Sequence, residues 1–477
     1  MIQRSRRYSN SNTTTNILQA LWLFSFLSHL FHNVGSAALV TFSHMRLSNA
    51  SCAAASFPLA QMLANNRLCF SAAKHKSYVL LFRYVSQRFC RPVILGIETS
   101  CDDTGAAVVD REGNILGEDL FSQQSYSTRF GGVIPVFAKT QHELKIEAVV
   151  KNALQRSGLA LQDVDAIAVT TRPGLPVCLR VGVDYAVKLC RLSNKPLIPI
   201  HHMAAHACVI RLLNRNAQLP FLALLLSGGH SILTLVQSVD NFLLLGSTLD
   251  IAPGEAFDKV ARRMQLCHIK PENEEMSGGK LIETYAQGGD ILAFEFPYPI
   301  RRRDCNFSYS GLASAAVRYI EKHEQASGCF IREDSAKVTN LCASFQHAVF
   351  RHIAKKLLRA MAYLEEKAIF STNGKKQLVV SGGVASNSYF RRGFEYVCQC
   401  NGYELLLPPP SLCTDNGVMI AWLGVEKYIA GSDILQHFPD EYPVQARVPL
   451  GIDVGDDIVA LSIAPSRLKL NVGFHSV

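Results

Sequence analysis

Acidic residues are absent from the first 97 positions of this 477-residue chain, where Glu98 is the first carboxylate. Ten of the 48 Lys and Arg residues lie within positions 1–91, so the remaining 38 face 39 Asp and Glu residues. The formal net charge of +9 therefore belongs to the N-terminal segment, and the body of the protein is close to neutral. Residues 92–477 are therefore not basic as a whole, so any binding of a polyanion must use local basic patches.

The acid-free segment contains many Arg, Ser and Ala residues, a composition typical of an organellar transit peptide. We expect residues 1–91 to be a targeting leader that is disordered or cleaved. The alternative is a disordered tail that carries no targeting signal. The apolar run 17–31 is shorter than the ~20 residues of a membrane span and is interrupted by polar residues. No stable span is expected in the mature protein.

No Cys-x-x-Cys pair occurs among the 14 cysteines. Scattered cysteines without metal-binding spacing indicate reduced thiols, as in an intracellular compartment, and argue against secretion. Together with the leader, this predicts the mitochondrial matrix or the plastid stroma.

From Val93 onward, segments rich in β-branched residues alternate with segments of helical periodicity, which predicts an α/β sheet protein. Three apolar strands end in polar or glycine turns, beginning at Glu98, Ser227 and Ser381. This turn pattern is typical of two lobes around a nucleotide cleft. The predicted division is a leader over 1–91, an N-terminal lobe over 92–215, a C-terminal lobe over 216–450 and a tail over 451–477.

His202 and His206 are four residues apart, so on a helix both imidazoles lie on one face. Asp415 lies in a turn far downstream. Two histidines and one carboxylate with open coordination positions suit Fe or Zn, although single histidines are more often structural. A zinc peptidase of the His-Glu-x-x-His type is excluded, because Met203 occupies the position of the general base.

Glycine turns supply candidate phosphate sites. Ser-Gly-Gly turns at residues 227–229 and 381–383 expose backbone N–H groups that can bind phosphate oxygens, although each alone is commonly only a tight turn. A carboxylate within 255–259 can bind ribose hydroxyls or begin a helix, and a third glycine turn at 277–279 can lie against a ribose or base. Asn387 can bind a nucleotide or cap a helix.

Seven ordered motifs carry a family resemblance: Ile97–Thr104, Gly131–Pro135, His201–His206, Leu226–His230, Gly254–Lys259, Ser381–Val384 and Cys413–Gly417. Over about residues 93–450 the chain resembles the tRNA N6-adenosine threonylcarbamoyltransferases, and most closely their mitochondrial members. The resemblance implies the two-lobed actin-like and Hsp70-like ATPase fold. It also implies transfer of a threonylcarbamoyl group from threonylcarbamoyl-AMP to adenosine 37 of tRNAs that read codons beginning with A, with release of AMP.

The resemblance further implies the site residues and the partners. The implied ligands of one divalent metal ion per subunit, Fe or Zn, are His202, His206 and Asp415. The implied contacts with the adenylate are Leu225, Leu226, Ser227, Gly228, Gly229, Asp258, Gly279 and Asn387. A separate synthase would supply the donor, and the mitochondrial relatives imply a homodimer.

The mixed anhydride of the donor is already activated, so no covalent enzyme nucleophile is needed. The incoming amine must lose a proton, and Asp102 or Asp103 is a candidate acceptor. Two rival functions stay open from the sequence. A kinase or ATPase of the same fold would use Mg²⁺ and an aspartate aimed at a γ-phosphate, and a non-catalytic RNA- or nucleotide-binding scaffold would need no metal centre.

Overall fold

The computed structural model describes residues 92–300, 302–370 and 374–463. The predicted leader 1–91 and the last part of the predicted tail, 464–477, lie outside these residues. None of the helices in the described ranges has both the length and the apolar character required to cross a bilayer.

The first sheet has five strands in the order β3-β2-β1-β4-β5. β1, β2 and β3 form an antiparallel meander, while β4 runs parallel to β1 and β5 runs parallel to β4. The strands are β1 (Val93–Glu98), β2 (Asp103–Asp110), β3 (Ile115–Ser122), β4 (Ala166–Arg172) and β5 (Leu197–His201). The helices of this part of the chain are α1 (Gln124–Phe130), α2 (Pro135–Ser157), α3 (Pro176–Ser193), α4 (His202–Cys208) and α5 (Ile210–Leu213).

The second sheet has six strands in the order β10-β9-β6-β7-β8-β11. The strands are β6 (Phe221–Leu226), β7 (Ser231–Val236), β8 (Phe242–Ser247), β9 (Gln377–Ser381), β10 (Glu404–Leu406) and β11 (Ile452–Asp453). The helices are α6 (Pro253–Arg263), α7 (Gly278–Tyr285), α8 (Ser310–Ser327), α9 (Ser335–Glu366), α10 (Ser388–Asn401), α11 (Pro410–Cys413), α12 (Gly417–Ala430) and α13 (Gly455–Leu461).

The two sheets share one topology. In each, three antiparallel strands are followed by two strands parallel to the first, because β6 to β10 repeat the pairing of β1 to β5. This repetition agrees with the expected two-lobed α/β fold. The boundary at residues 215 and 216 stays a prediction. Residues 452–453, predicted to lie in a tail, pair with β8 and extend the second sheet.

Helices cover both faces of each sheet, which explains the nearly continuous apolar sequences of the central strands. All six residues of β6 are buried, as are five of the six in β1. Helices α2 and α3 pack on one face of the first sheet. A shared apolar cluster on the other face contains residues of both sheets together with α4 and α12.

Helix α12 contacts the backbone of β1 and β2 directly, because glycines remove the side chains from the contact. A Cβ on Gly96 would lie 2.2 Å from the backbone N of Ala421, and one on Gly417 would lie 2.4 Å from the carbonyl carbon of Ala106. Real Cβ atoms do not approach other atoms so closely. The N-terminus of α12 is thereby fixed against the first sheet.

We expect Gly96→Ala to lower the free energy of unfolding by about 3 kcal/mol, because the added methyl group must push α12 off the sheet. The midpoint of urea unfolding measures this. Gly311→Ala is the matched control, since no atom outside its own helix and neighbours lies within 4 Å of a Cβ there. A parent-like midpoint for Gly96→Ala would contradict the close packing.

Candidate metal centre and nucleotide cleft

The two candidate metal-binding histidines lie where β5 passes directly into α4. His202 is the first residue of the helix, and His206 follows one turn later. Their rings meet edge to face with centroids 4.7 Å apart, and both side chains are buried. The predicted helical spacing is therefore observed, with both imidazoles on one face.

Asp415 reaches these histidines from the turn before α12. Its Oδ1 lies 3.3 Å from Nε2 of His202 and 3.0 Å from Nε2 of His206. Asn416 fixes the helix start by accepting a hydrogen bond from the backbone N–H of Met419 at 2.9 Å. The candidate ligand atoms of the three residues all lie within 4.8 Å of one another. The fold thus brings together the three residues that the sequence predicted as ligands.

Glu98 completes this cluster, although the sequence analysis assigned it no role beyond the start of a turn. Its fully buried carboxylate accepts from Nδ1 of His202 at 3.0 Å and from the Thr170 hydroxyl at 2.5 Å. A histidine that binds a metal commonly donates its second N–H to a carboxylate, which fixes the tautomer. Nε2 of His202 then presents its lone pair towards Asp415, so the donor set fits a metal ion. The sequence pattern that could have indicated this role is an acidic residue at the end of a buried strand.

The electrostatics of the cluster favour a positive charge between its carboxylates. Burial alone raises the pKa of Asp415, but His202 and His206 hold it well below its usual range. Burial alone lowers the pKa of His202, whereas Asp415 and Glu98 raise it well above its ordinary value. A divalent cation can supply the same charge while releasing the proton.

The first Ser-Gly-Gly turn joins β6 to β7. Leu225 and Leu226 are buried in β6, and the Ser227 hydroxyl oxygen accepts a hydrogen bond from the backbone N–H of His230 at 3.0 Å. Gly228 and Gly229 are exposed, and no atom lies within 4 Å of a Cβ placed on either. The backbone at these two glycines is therefore accessible to a ligand.

The second Ser-Gly-Gly turn lies beside the first, because β9 runs parallel to β6 and both strands end at the same edge. Gly382 has a φ of 100°, which favours glycine, and a Cβ there would lie 2.4 Å from the Leu226 carbonyl oxygen. His230, which follows the first turn, lies within electrostatic range of His202, His206 and Asp415. Burial, followed by the charge of His202, lowers the pKa of His230 to about 4.

Asp258 contacts the third glycine turn, at the start of α7. Burial raises the pKa of Asp258, and hydrogen bonds from the backbone N–H groups of Gly278 and Gly279 offset part of that rise. Helix α6, which carries Asp258, begins against the first Ser-Gly-Gly turn, where a Cβ on Gly254 would lie 2.7 Å from Cα of Gly228. Asp258 and Gly279 are therefore neighbours, close to the first Ser-Gly-Gly turn.

Asn387 caps α10 by accepting from the backbone N–H of Phe390 at 3.2 Å, and its Nδ2 donates to Gln346 at 2.8 Å. The capping alternative is thus observed, and a role in nucleotide binding stays a prediction. Glu283, which the sequence analysis missed, accepts from the backbone N–H of Ser388 at 2.8 Å and joins α7 to this cap. The sequence pattern that could have indicated Glu283 is its four-residue spacing from Gly279, which places both residues on one helical face.

The two candidate proton acceptors are adjacent: Asp102 lies in the turn between β1 and β2, and Asp103 is the first residue of β2. Asp102 accepts from the Ser127 hydroxyl at 2.8 Å. Oδ1 of Asp103 is buried without a hydrogen-bond partner among the described residues, and burial, with the charge of Asp415 next, raises the pKa of Asp103 to about 7. His142 of α2 holds the turn, since its Nε2 donates to the Cys101 carbonyl oxygen at 3.0 Å.

We expect Glu98→Gln to weaken metal binding by about tenfold to a hundredfold, because the amide lacks the charge that orients and polarises His202. A chelator-competition titration with Zn²⁺ measures this without reference to activity. Asp304→Asn is the control: it removes another buried carboxylate, 2.9 Å from Lys356, and should cost stability without changing metal affinity. Equal affinities for Glu98→Gln and parent would contradict the role of Glu98.

Comparison with known proteins identifies the family. Residues 114–422 match the family model of TsaD, tRNA N6-adenosine threonylcarbamoyltransferase. The protein named "tRNA N6-adenosine threonylcarbamoyltransferase, mitochondrial" is 45% identical in Rattus norvegicus over 386 residues, covering 80% of this chain and 92% of the relative. The human protein of that name is 42% identical over 408 residues, covering 84% and 97%.

A bacterial relative extends the match. The tRNA N6-adenosine threonylcarbamoyltransferase of Rhizobium meliloti is 39% identical over 343 residues, covering 71% of this chain and 90% of the relative. The relatives with higher identity carry the mitochondrial name. The chain therefore belongs to the tRNA N6-adenosine threonylcarbamoyltransferase family, as a mitochondrial member.

Proposed function

We propose that this protein transfers a threonylcarbamoyl group from threonylcarbamoyl-AMP to the N6-amine of adenosine 37 in mitochondrial tRNAs that read ANN codons, releasing AMP. The observation that carries the proposal is the cluster of His202, His206 and Asp415, in which both histidines are buried, together with the exposed glycines of the first Ser-Gly-Gly turn, in a member of this family. A separate synthase supplies the donor, and the protein works as a homodimer.

The adenylate lies along the wall formed by the glycine turns and α6. The accessible backbone at Gly228 and Gly229 binds phosphate oxygens, and Leu225, Leu226 and Ser227 position that turn. The carboxylate of Asp258 and the backbone of Gly279 bind the nucleoside, as carboxylates do in other nucleotide sites. Asn387, which caps α10, contributes the other end of this adenylate-binding surface. This arrangement fixes the reacting carbonyl group relative to the incoming amine.

His202, His206 and Asp415 hold one divalent ion, Fe or Zn, per subunit. When bound, the metal supplies a positive charge that stabilises the phosphate of the leaving AMP. Glu98 keeps His202 in the required tautomer and orientation. Burial of the cluster strengthens these electrostatic interactions, since water screens them less.

The transfer needs one proton acceptor. The N6 atom of adenosine attacks the carbamoyl carbon, the bond from that carbon to the phosphate oxygen breaks, and AMP leaves with the electron pair. The proton lost by the nitrogen passes to Asp102 or Asp103. Asp103 has the raised pKa, while Asp102 is bound to the Ser127 hydroxyl. No covalent intermediate on the enzyme is required.

A kinase or ATPase of the same fold is the second candidate. Such an enzyme holds Mg²⁺ through carboxylates and phosphates, and aims an aspartate at the γ-phosphate. The two buried histidines favour a softer ion than Mg²⁺ and therefore favour transfer. A non-catalytic scaffold would show neither turnover nor dependence on the metal cluster.

We expect the metal-loaded protein to form threonylcarbamoyladenosine in an unmodified ANN-decoding tRNA, and His206→Ala to reduce the rate at least about a hundredfold. Nucleoside mass spectrometry, with a system that generates threonylcarbamoyl-AMP, measures the product. His268→Ala, at an exposed position, is the matched control. No product from folded, metal-loaded parent would contradict the proposal and favour the kinase-type alternative.

We expect removal of the proton acceptor to lower the single-turnover rate about a hundredfold or more. Asp102→Asn and Asp103→Asn are compared singly and together, from pH 5 to pH 9. If Asp103 is the acceptor, the parent rate rises with pH and levels off once the carboxylate is ionised. The bound cation places that midpoint at or below about 7, and Asp103→Asn abolishes the rise. An unchanged rate in the double variant would exclude both residues.

A further inference from the structure

An exposed aromatic surface lies on α1 and at the start of α2. Tyr126 and Phe130 are 39% and 54% exposed. Both rings meet Phe137 edge to face, with centroid distances of 5.3 and 5.5 Å. We name Tyr126, Phe130 and Phe137 the aromatic rim. Phe137 supports the two outer rings and leaves their other sides to solvent, which is unusual for large apolar side chains on one short helix.

The aromatic rim borders the proposed reaction site on two sides. The hydroxyl of Ser127, on the same helix, donates to Asp102 at 2.8 Å. After the helix, the carbonyl oxygen of Gly131 accepts from Nη2 of Arg262 at 2.8 Å. Arg262 lies one turn beyond Asp258 on α6. The rim therefore lies between the acidic turn of the first sheet and the helix that carries the proposed nucleoside contact.

Positive charge accompanies the rim. Arg129, at the end of α1, and Arg262, on α6, are exposed. Since the body of the protein is close to neutral overall, contacts with RNA phosphates must come from such local groups. Exposed aromatic rings beside arginines are the groups that hold unpaired nucleobases in proteins that bind single-stranded RNA.

We propose that the aromatic rim stacks on a nucleobase of the anticodon loop beside the modified adenosine. This inference rests on the proposed function. The N6-amine can enter the cleft only if its base leaves the loop stack, which uncovers the face of a neighbouring base. Phe130 and Tyr126 cover that face, and Arg129 and Arg262 bind the adjoining phosphates. The rim thereby positions the substrate without taking part in the chemistry.

The test uses the full, metal-loaded chain and a synthetic anticodon stem–loop RNA. Phe130→Leu keeps apolar bulk but removes the aromatic face, and Phe130→Trp retains it. Leu192→Ala is the matched control, since Leu192 is 68% exposed on α3. We expect Phe130→Leu to raise both the Kd and the KM for the RNA about tenfold, with AMP binding unchanged. Phe130→Trp and Leu192→Ala should match the parent.

An abasic substitution beside the target adenosine identifies the stacked partner. It should weaken binding to the parent protein by a similar factor. It should have little further effect on binding to Phe130→Leu, because the abasic site and the substitution remove the same contact. Additive losses, or a parent-like Kd for Phe130→Leu, would overturn the proposal. So would conversion of a dimer to a monomer by Phe130→Leu in sedimentation analysis, which would assign the rim to contact with a second copy.

The two proposals fail in distinguishable ways. If the parent binds the stem–loop in a Phe130-dependent manner but forms no threonylcarbamoyladenosine, the rim proposal stands and the reaction proposal fails. If the product forms with a KM that is indifferent to Phe130, the reaction stands and the rim proposal fails. A parent that does not bind the stem–loop overturns the rim proposal.

Discussion

The direct packing of α12 on β1 and β2 is the constraint on which the candidate metal centre depends. Gly96 and Gly417 allow backbone to meet backbone, so the helix has one permitted depth on the sheet. Asp415 precedes this helix and is therefore held at a fixed height above the end of the first sheet. The same sheet carries Glu98 at the end of β1 and delivers His202 from β5. A side chain in the contact would separate the carboxylate from the histidines.

Placing two carboxylates beside two buried histidines has an electrostatic consequence. The fully buried carboxylate of Glu98 loses hydration that is worth several kcal/mol, and hydrogen bonds together with a nearby positive charge offset this loss. Asp415 loses less, because its side chain is 23% exposed. The charges of the cluster therefore favour binding of a cation. His230, whose backbone N–H donates to Ser227 in the first Ser-Gly-Gly turn, lies within electrostatic range of this cluster. The proposed metal site and the proposed donor site are therefore neighbours, as required if the metal charge is to act on a phosphate.

The parts of the site that the sequence predicted are those with local spacing. His202 and His206 share a helical face because they are four residues apart, and the Ser-Gly-Gly turns follow apolar strands. Glu98 was missed as a partner of His202 because 104 residues separate them, and only strand order brings them together. Asn387 shows that a local sequence pattern can also be ambiguous. Its local pattern fitted both a helix cap and a ligand contact, and the structure shows the cap.

The sequence by itself determined the α/β alternation, the glycine turns and the types of metal-binding side chain, because periodicity and turn chemistry act over a few residues. Family membership was also readable from seven motifs in order, and the similarity to the rat and human proteins confirms it. Only the tertiary structure decided that two sheets repeat one strand order, that Asp415 meets both histidines, and that α1, which exposes aromatic rings, contacts Asp102 through Ser127. These depend on contacts between distant segments, whose geometry is set by packing depth and strand order rather than by any local pattern.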